Sequence, residues 1–427
     1  MGSNPTLSAS LWNCSERIPA IENTDNRSFL SRLGPRLRSF FTGLVPLFVL
    51  AHFSHHVVGA LLTPLLPFIR DDFVLTKMQL GFLGSAYNLP YGIGQLPGGW
   101  LADRIGPRNL IVVGISGVAV AGLLTGLSPT YVFISIGLVL LGLTGGGYHP
   151  AASPLVSASV DEKHRGSALG IHQIGGTASF FLTPLIAAGI AGAIGWRGTF
   201  ISLSIPTLIF GIVLYVLLGR RGYTGRPQPE ATDNSMETSS AEGRMRRLLP
   251  FTALGVVLQV LLFSSVSFVP VYAVDRLGSS NEAAAGLLAV AHFAGLVAGP
   301  LGGYLSDRLG KLPVMLTVSL LAGPAIYLLN YVSFGWGLSL VLLLMGTCQY
   351  IGMPVSESYI IAHTSERNRS TVLGFYYFAS RGGPGLIMPV MGYLFDNFGF
   401  QTGYSAVAAT MVAVTIICAL FMRRSQD

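Results

Sequence analysis

The chain has 427 residues, of which 51% are hydrophobic and 11% charged, with 53 glycines, 3 cysteines and a formal net charge of +7. About a quarter of the residues in an ordinary soluble domain are charged. So few charges over so much apolar sequence exclude a disordered chain, a disulfide scaffold and an ordinary cytosolic enzyme, and they point to an integral membrane protein.

In chain order, residues 1–39 are polar and lack the apolar core of a signal peptide, so they read as a cytoplasmic tail. Met1-Gly2-Ser3-Asn4-Pro5-Thr6 fits the loose myristoylation pattern, for which an unstructured tail is the simpler account. Six apolar stretches follow at 40–69, 79–102, 109–127, 130–156, 168–190 and 199–219. Residues 220–249, rich in Pro, Ser, Thr and charge, read as a cytoplasmic linker. Six more stretches lie at 250–274, 283–305, 312–329, 336–361, 371–395 and 402–422, before a short tail at 423–427. Each comes near the ~20 residues that carry a helix across a ~30 Å hydrocarbon core. The expectation is an all-α membrane protein with twelve transmembrane helices, divided into a half at 40–219 and a half at 250–422. A β-barrel would instead show alternating segments of about ten residues.

Orientation follows from the basic residues. With both termini cytoplasmic, 21 of the 26 Lys and Arg residues fall in inner segments. Arg70, Lys77, Arg197 and Arg276 fall in outer loops, and Arg381 lies within a span. The positive charge is therefore a topology signal and gives no support for a nucleic-acid partner.

The halves match at a constant offset of 204 residues. Gly99, Asp103, Arg104 and Gly106 correspond to Gly303, Asp307, Arg308 and Gly310, while Gly142, Pro150 and Gly195 correspond to Gly346, Pro354 and Gly399. Internal duplication over two sets of spans is the sequence sign of a secondary transporter.

The segments GGWLADRIGPR (98–108) and GGYLSDRLGK (302–311) resemble the repeated loop motif of the major facilitator superfamily. The resemblance implies two pseudo-symmetric six-helix halves that rock about a central site. It also implies a gating latch carried by Gly99, Asp103, Arg104, Gly106, Arg108, Asp307, Arg308 and Gly310. More narrowly, residues 142–176, with His149-Pro150 and Gln173-Ile174-Gly175-Gly176, are similar to the fosmidomycin-resistance branch, as is the first span at 51–73. Where drug antiporters of the superfamily carry glycines in span 5, this chain has Ser179, Thr183-Pro184 and Ala187-Ala188.

An ionisable group deep in a span costs roughly 2.5–3.5 kcal/mol, so each is a functional candidate. Here these are Glu357, Arg381 and the histidines His52, His55, His56, His149, His172 and His292. His52, His56, Gly59 and Thr63 share one helix face, with His55 at its border. No carboxylate or cysteine accompanies these histidines, so a metal site is not expected. Glu357, then His149 and His56, are the candidates for carrying a proton, because carboxylates and imidazoles can change charge. Arg381 stays charged and needs an anion, supplied either by Glu357 or by the substrate. His292 corresponds to Asn88, and with His52, His55, His56, Gln259 and Tyr350 these complete the expected substrate lining.

The non-membrane segments are too short for a catalytic domain, and no Walker motif is present. The expected function is proton-coupled efflux of a small anionic or amphiphilic compound by alternating access. The alternative is proton-coupled uptake of a small organic anion. Either would be performed by a monomer without cofactor, in a bacterial inner membrane.

Overall fold

The computed structural model describes residues 44–160, 165–220, 241–364 and 366–424. The tail expected at 1–39 lies outside these residues, as do positions 221–240 of the expected linker and the last three residues of the chain.

The described residues are almost wholly helical. The first crossing is α1 (Val45–Gly59) followed by α2 (Leu62–Phe73), so the helix runs past the expected limit at 69 and carries Arg70 in its last turn. Pro46 stands at the start of α1, where its fixed φ suits a first turn and its missing N–H is no loss. α3 (Lys77–Gln95) opens on a capping box: the Thr76 hydroxyl accepts from Gln79 N at 3.2 Å, and Thr76 N donates to Gln79 Oε1 at 2.9 Å. α4 (Gly98–Ile105), α5 (Pro107–Gly126), α6 (Tyr131–Gly146) and α7 (Tyr148–Ala158) follow. α8 (Arg165–Arg220) is broken at Gly195.

The second half begins with α9 (Ala241–Ser267), whose start falls inside the segment read as a linker, and α10 (Val269–Leu277). Next come α11 (Asn281–Leu309), α12 (Lys311–Leu328) and α13 (Trp336–His363). α14 (Glu366–Tyr377) runs through a π-helical turn at Phe378–Gly382 into α15 (Pro384–Arg424), which is broken at Gly399. Among the described residues, nine helical runs are long and apolar enough to cross a membrane by length and composition. Side chains such as Ile205, Ile209 and Ile212 stand exposed along the outside, as lipid contact requires.

The duplication is visible in the backbone. Gly106 (φ 85°, ψ 142°) and Gly310 (φ 87°, ψ 150°) turn the chain between consecutive helices in the same way. Gly195 (φ 75°, ψ 173°) and Gly399 (φ 79°, ψ 166°) do so again. These backbone conformations are open essentially to glycine alone, so the residues conserved between the halves at the 204-residue offset are those that shape the turns.

The halves meet along α3 and α15. A Cβ on Gly81 would stand 2.5 Å from the Met388 carbonyl oxygen, and Gly392 lies directly on the Lys77 carbonyl. The Ser85 hydroxyl donates to the Gly385 carbonyl oxygen across the same seam. Small residues let helix backbones approach in lipid, where no hydrophobic force drives them together.

At the end of the bundle that holds the turns 74–76 and 278–280, charged side chains tie the halves. Arg70 pairs with Asp71 at 2.9 Å and with Asp275, and Lys77 Nζ lies 3.3 Å from Asp275 and 3.8 Å from Asp396. Asp396 accepts from Lys77 N at 3.0 Å and Met78 N at 2.8 Å, so it caps the N-terminus of a helix from the other half. Asn281 Nδ2 donates to Asp71 at 2.8 Å.

Candidate functional site

Two adjoining cavities lie between the halves. The larger spans about 950 Å³ and the smaller about 550 Å³, the space at their open mouths included. Both are lined by His56 and Phe180 from the first half and by Gln259, His292, Gln349 and Arg381 from the second. The larger extends along Tyr87, Asn88 and Tyr91 on α3, and the smaller reaches His52, His149, Tyr350 and Met353.

Each polar side chain is placed by its helix. Arg381 sits on the π turn between α14 and α15, a local widening of the helix that recurs at functional sites. Its Nη2 lies 3.2 Å from Met353 Sδ. Among the described residues, the ion pairs join other partners and none links Arg381 to Glu357. Glu357 lines neither cavity and has the Tyr377 hydroxyl as its side-chain partner. Of the two anions offered for Arg381 by the sequence, the internal carboxylate is therefore not paired with it here.

His292 Nδ1 stands 2.9 Å from the Tyr350 hydroxyl, which joins two residues expected in the substrate lining. Gln259 Nε2 donates to the Gln349 carbonyl at 2.8 Å, and Asn88 Nδ2 donates to the Gly84 carbonyl at 2.9 Å.

The histidines of α1 join those of α7 and α8. The rings of His52 and His56 lie 4.9 Å apart, and each lies just over 5 Å from His149, at 5.2 and 5.3 Å respectively. His52 stacks on His172 at 4.3 Å, and its Nδ1 is 2.9 Å from the His172 carbonyl oxygen. His55 turns away from both cavities and stacks on Tyr148 at 4.1 Å. Of the four histidines expected in the lining, His52, His56 and His292 face cavity space and His55 packs behind it.

The latch residues lie elsewhere. Arg104 covers the Trp100 ring at 4.4 Å, Arg108 donates to the Tyr215 carbonyl at 2.7 Å, and Arg308 covers Tyr304 at 4.8 Å. Each of these contacts stays within one half. Gly99 and Asp103 belong to α4, and the Asp103 side chain lies outside what the structure describes. Gly106, Gly310 and Asp307 sit at the same two turns.

Sequence reasoning missed Gln349, Phe180, Tyr87 and Tyr91 in the lining, whereas the 204-residue offset puts Met353 on one face of its span with Tyr350. Gln349, next to Tyr350 in an apolar run, carried a usable signal. The aromatic residues did not, because aromatic side chains are equally at home in helix packing. Asp396 was also missed, since its partners are more than 300 residues away in sequence.

The family described as the Major Facilitator Superfamily matches residues 48–347 and 280–427. A probable sulfoacetate transporter of Cupriavidus necator is 29% identical over 260 residues, which take in 57% of this chain and 60% of the relative. The cis,cis-muconate transport protein of Acinetobacter baylyi is 26% identical, covering 84% of this chain and 88% of its own. The multidrug resistance protein MdtG of Enterobacter lignolyticus is 24% identical over 81% and 82% of the two chains. A solved POT-family transporter in complex with 5-aminolevulinic acid, 13% identical, superposes with a TM-score of 0.78 over 90% of this chain and 96% of that one. The family and these relatives are transporters, not enzymes.

Proposed function

Because the chain belongs to the Major Facilitator Superfamily, we propose that it is a secondary transporter that carries a small organic anion by alternating access. The observation that carries this reading is Arg381, a guanidinium that lines both cavities and, among the described residues, has no carboxylate paired with it. Such a cation is costly in the membrane interior. A carboxylate or sulfonate entering from either cavity would satisfy it, with two parallel hydrogen bonds. His292, Asn88, Gln259 and Tyr350 supply further polar contacts, and Tyr87, Tyr91 and Phe180 accommodate the carbon skeleton. The relatives named for sulfoacetate and cis,cis-muconate carry compounds of this charge class.

The reading takes α3 with α4 as a further crossing and counts α8 and the run through α14 and α15 as two helices each, which makes twelve spans. The basic residues then set both termini in the cytoplasm, and the setting is a bacterial inner membrane with a monomeric carrier. Within the superfamily, residues 142–176 keep the chain beside the fosmidomycin-resistance branch. Asp103, Arg104, Arg108, Asp307 and Arg308 form the latch of the opposite conformation. Importing an anion against an inside-negative potential costs ~2.3 kcal/mol per charge per 100 mV, and in this reading a co-moving proton offsets that cost. Glu357 beside Tyr377 is the carrier of that proton in this reading, with His149 and His56 as relays.

The multidrug relative favours a second reading, proton-driven efflux of an amphiphilic anion. Proteoliposome flux of sulfonates, dicarboxylates and amphiphilic drugs under opposite imposed pH gradients tests both. Import is expected when the outside is acidic, and export by exchange supports the second reading. Arg381→Gln is expected to lower anion binding by roughly 10–150-fold, the loss of one charge-assisted contact of about 1.5–3 kcal/mol. Unchanged anion binding by Arg381→Gln would overturn the assignment.

A further inference from the structure

The histidine cluster holds chemistry beyond the proton relay assigned above to His149 and His56. His52 and His56 stand one turn apart on α1, the i, i+4 spacing at which a single helix face offers two imidazoles to one metal ion. His149 reaches them from α7, and one ring nitrogen of each of the three lies within 4.8 Å of the others. A tetrahedral ion with metal–nitrogen bonds of about 2.0–2.1 Å sets its nitrogens about 3.4 Å apart. Side-chain rotations that move the rings by about an ångström close that gap, within the ordinary reach of a His rotamer.

A second, independent observation concerns His52. Its Nδ1 lies 2.9 Å from the His172 carbonyl oxygen, while its Nε2 is buried and has no partner. Donation from Nδ1–H to a backbone carbonyl fixes the tautomer whose Nε2 lone pair is free, and this is the outer support that metal-binding histidines usually have. A Cβ on Gly176 would stand 2.6 Å from both Cε1 and Nε2 of His52, so the glycine lets the imidazole lie close on the α8 backbone. All three rings border the smaller cavity, so a fourth coordination position faces open space.

Three neutral imidazoles with one open position suit zinc-class divalent ions, whereas magnesium and calcium select oxygen ligands. We propose that His52, His56 and His149 bind one zinc-class divalent ion in the wall of the central cavity, with its fourth position open to that cavity. The assignment does not rest on the identity of the transported compound.

The test uses full-length protein carrying no polyhistidine tag, with Zn²⁺ alone as the probe. Metal content after gel filtration and calorimetric titration is expected to give one ion per chain. His52→Ala and His149→Ala are each expected to weaken binding more than tenfold. His363→Ala, which removes a ring stacked on Tyr359 at 3.9 Å far from the cluster in sequence, is expected to leave it unchanged. X-ray absorption on the zinc-loaded wild-type protein needs no variant and is expected to count three imidazoles. Substoichiometric binding, full affinity in His149→Ala, or a shell of oxygen ligands would each overturn the proposal.

Discussion

Replacing Asp396 by Ala removes one of the ties between the halves at the charged end. Its carboxylate accepts from the first two N–H groups of α3, at 3.0 and 2.8 Å, and lies 3.8 Å from Lys77 Nζ. A hydrogen bond to a charged group contributes about 1.5–3 kcal/mol. The Asp396 side chain is 24% exposed, so water can take over the freed N–H groups, and the distant lysine contact adds little. A net loss of about 2–3 kcal/mol is the reasonable figure, and at 1.4 kcal/mol per decade it shifts the closed-to-open equilibrium by roughly 30–150-fold. Because the contact joins two halves, the loss falls on the state in which this end is closed. Spin labels at Val74 and Gln401, both exposed and one on each half, report the change as a longer inter-label distance. Asp396→Asn keeps one acceptor oxygen and loses the charge, so an intermediate distribution is expected. An Asp396→Ala protein with the wild-type distance distribution would show that the seam, and not this cap, holds the end closed.

Two further outcomes follow from the described geometry. Glu357→Gln is expected to abolish flux driven by a pH gradient while leaving substrate counterflow intact, since exchange needs no net proton; gradient-driven flux at the wild-type rate would remove Glu357 from the coupling step. Gly106→Ala and Gly310→Ala force a Cβ into positive-φ conformations (φ 85° and 87°) at a cost of about 1–3 kcal/mol each. Thermal unfolding in detergent should show comparable losses for the two, and a loss confined to one would mean that the matching turns carry different loads.

The sequence showed the duplicated turns, because glycine at a fixed offset is a local requirement that survives divergence. It also showed the histidine face of α1, since helical spacing alone decides which side chains share a side. His55 escaped that logic. One residue off the face, it stacks on Tyr148 from another helix, and no periodicity predicts that contact. Arg381 was singled out by its charge within a span and by the Gly-Gly-Pro-Gly that follows, but the π turn beneath it is a response to packing. The pairing of Glu357 with Tyr377 and the capping of α3 by Asp396 depend on which helices lie side by side, so hydropathy could not reveal them. The linker limits suffered similarly: the helix that starts at Ala241 opens with polar residues, and composition alone reads these as loop.

The seam between α3 and α15 has a thermal consequence. Where Gly81 meets the Met388 carbonyl and Ser85 meets that of Gly385, parting the helices wets peptide groups as well as the apolar side chains beside them, Met388 among these. Hydration of apolar surface raises heat capacity and hydration of polar surface lowers it. A switch that exposes both, over far less area than unfolding does, therefore has a heat-capacity change much smaller than that of unfolding. Its equilibrium should follow a nearly straight van't Hoff line over the growth range, so one enthalpy sets how the balance of conformations moves as the temperature of its membrane changes.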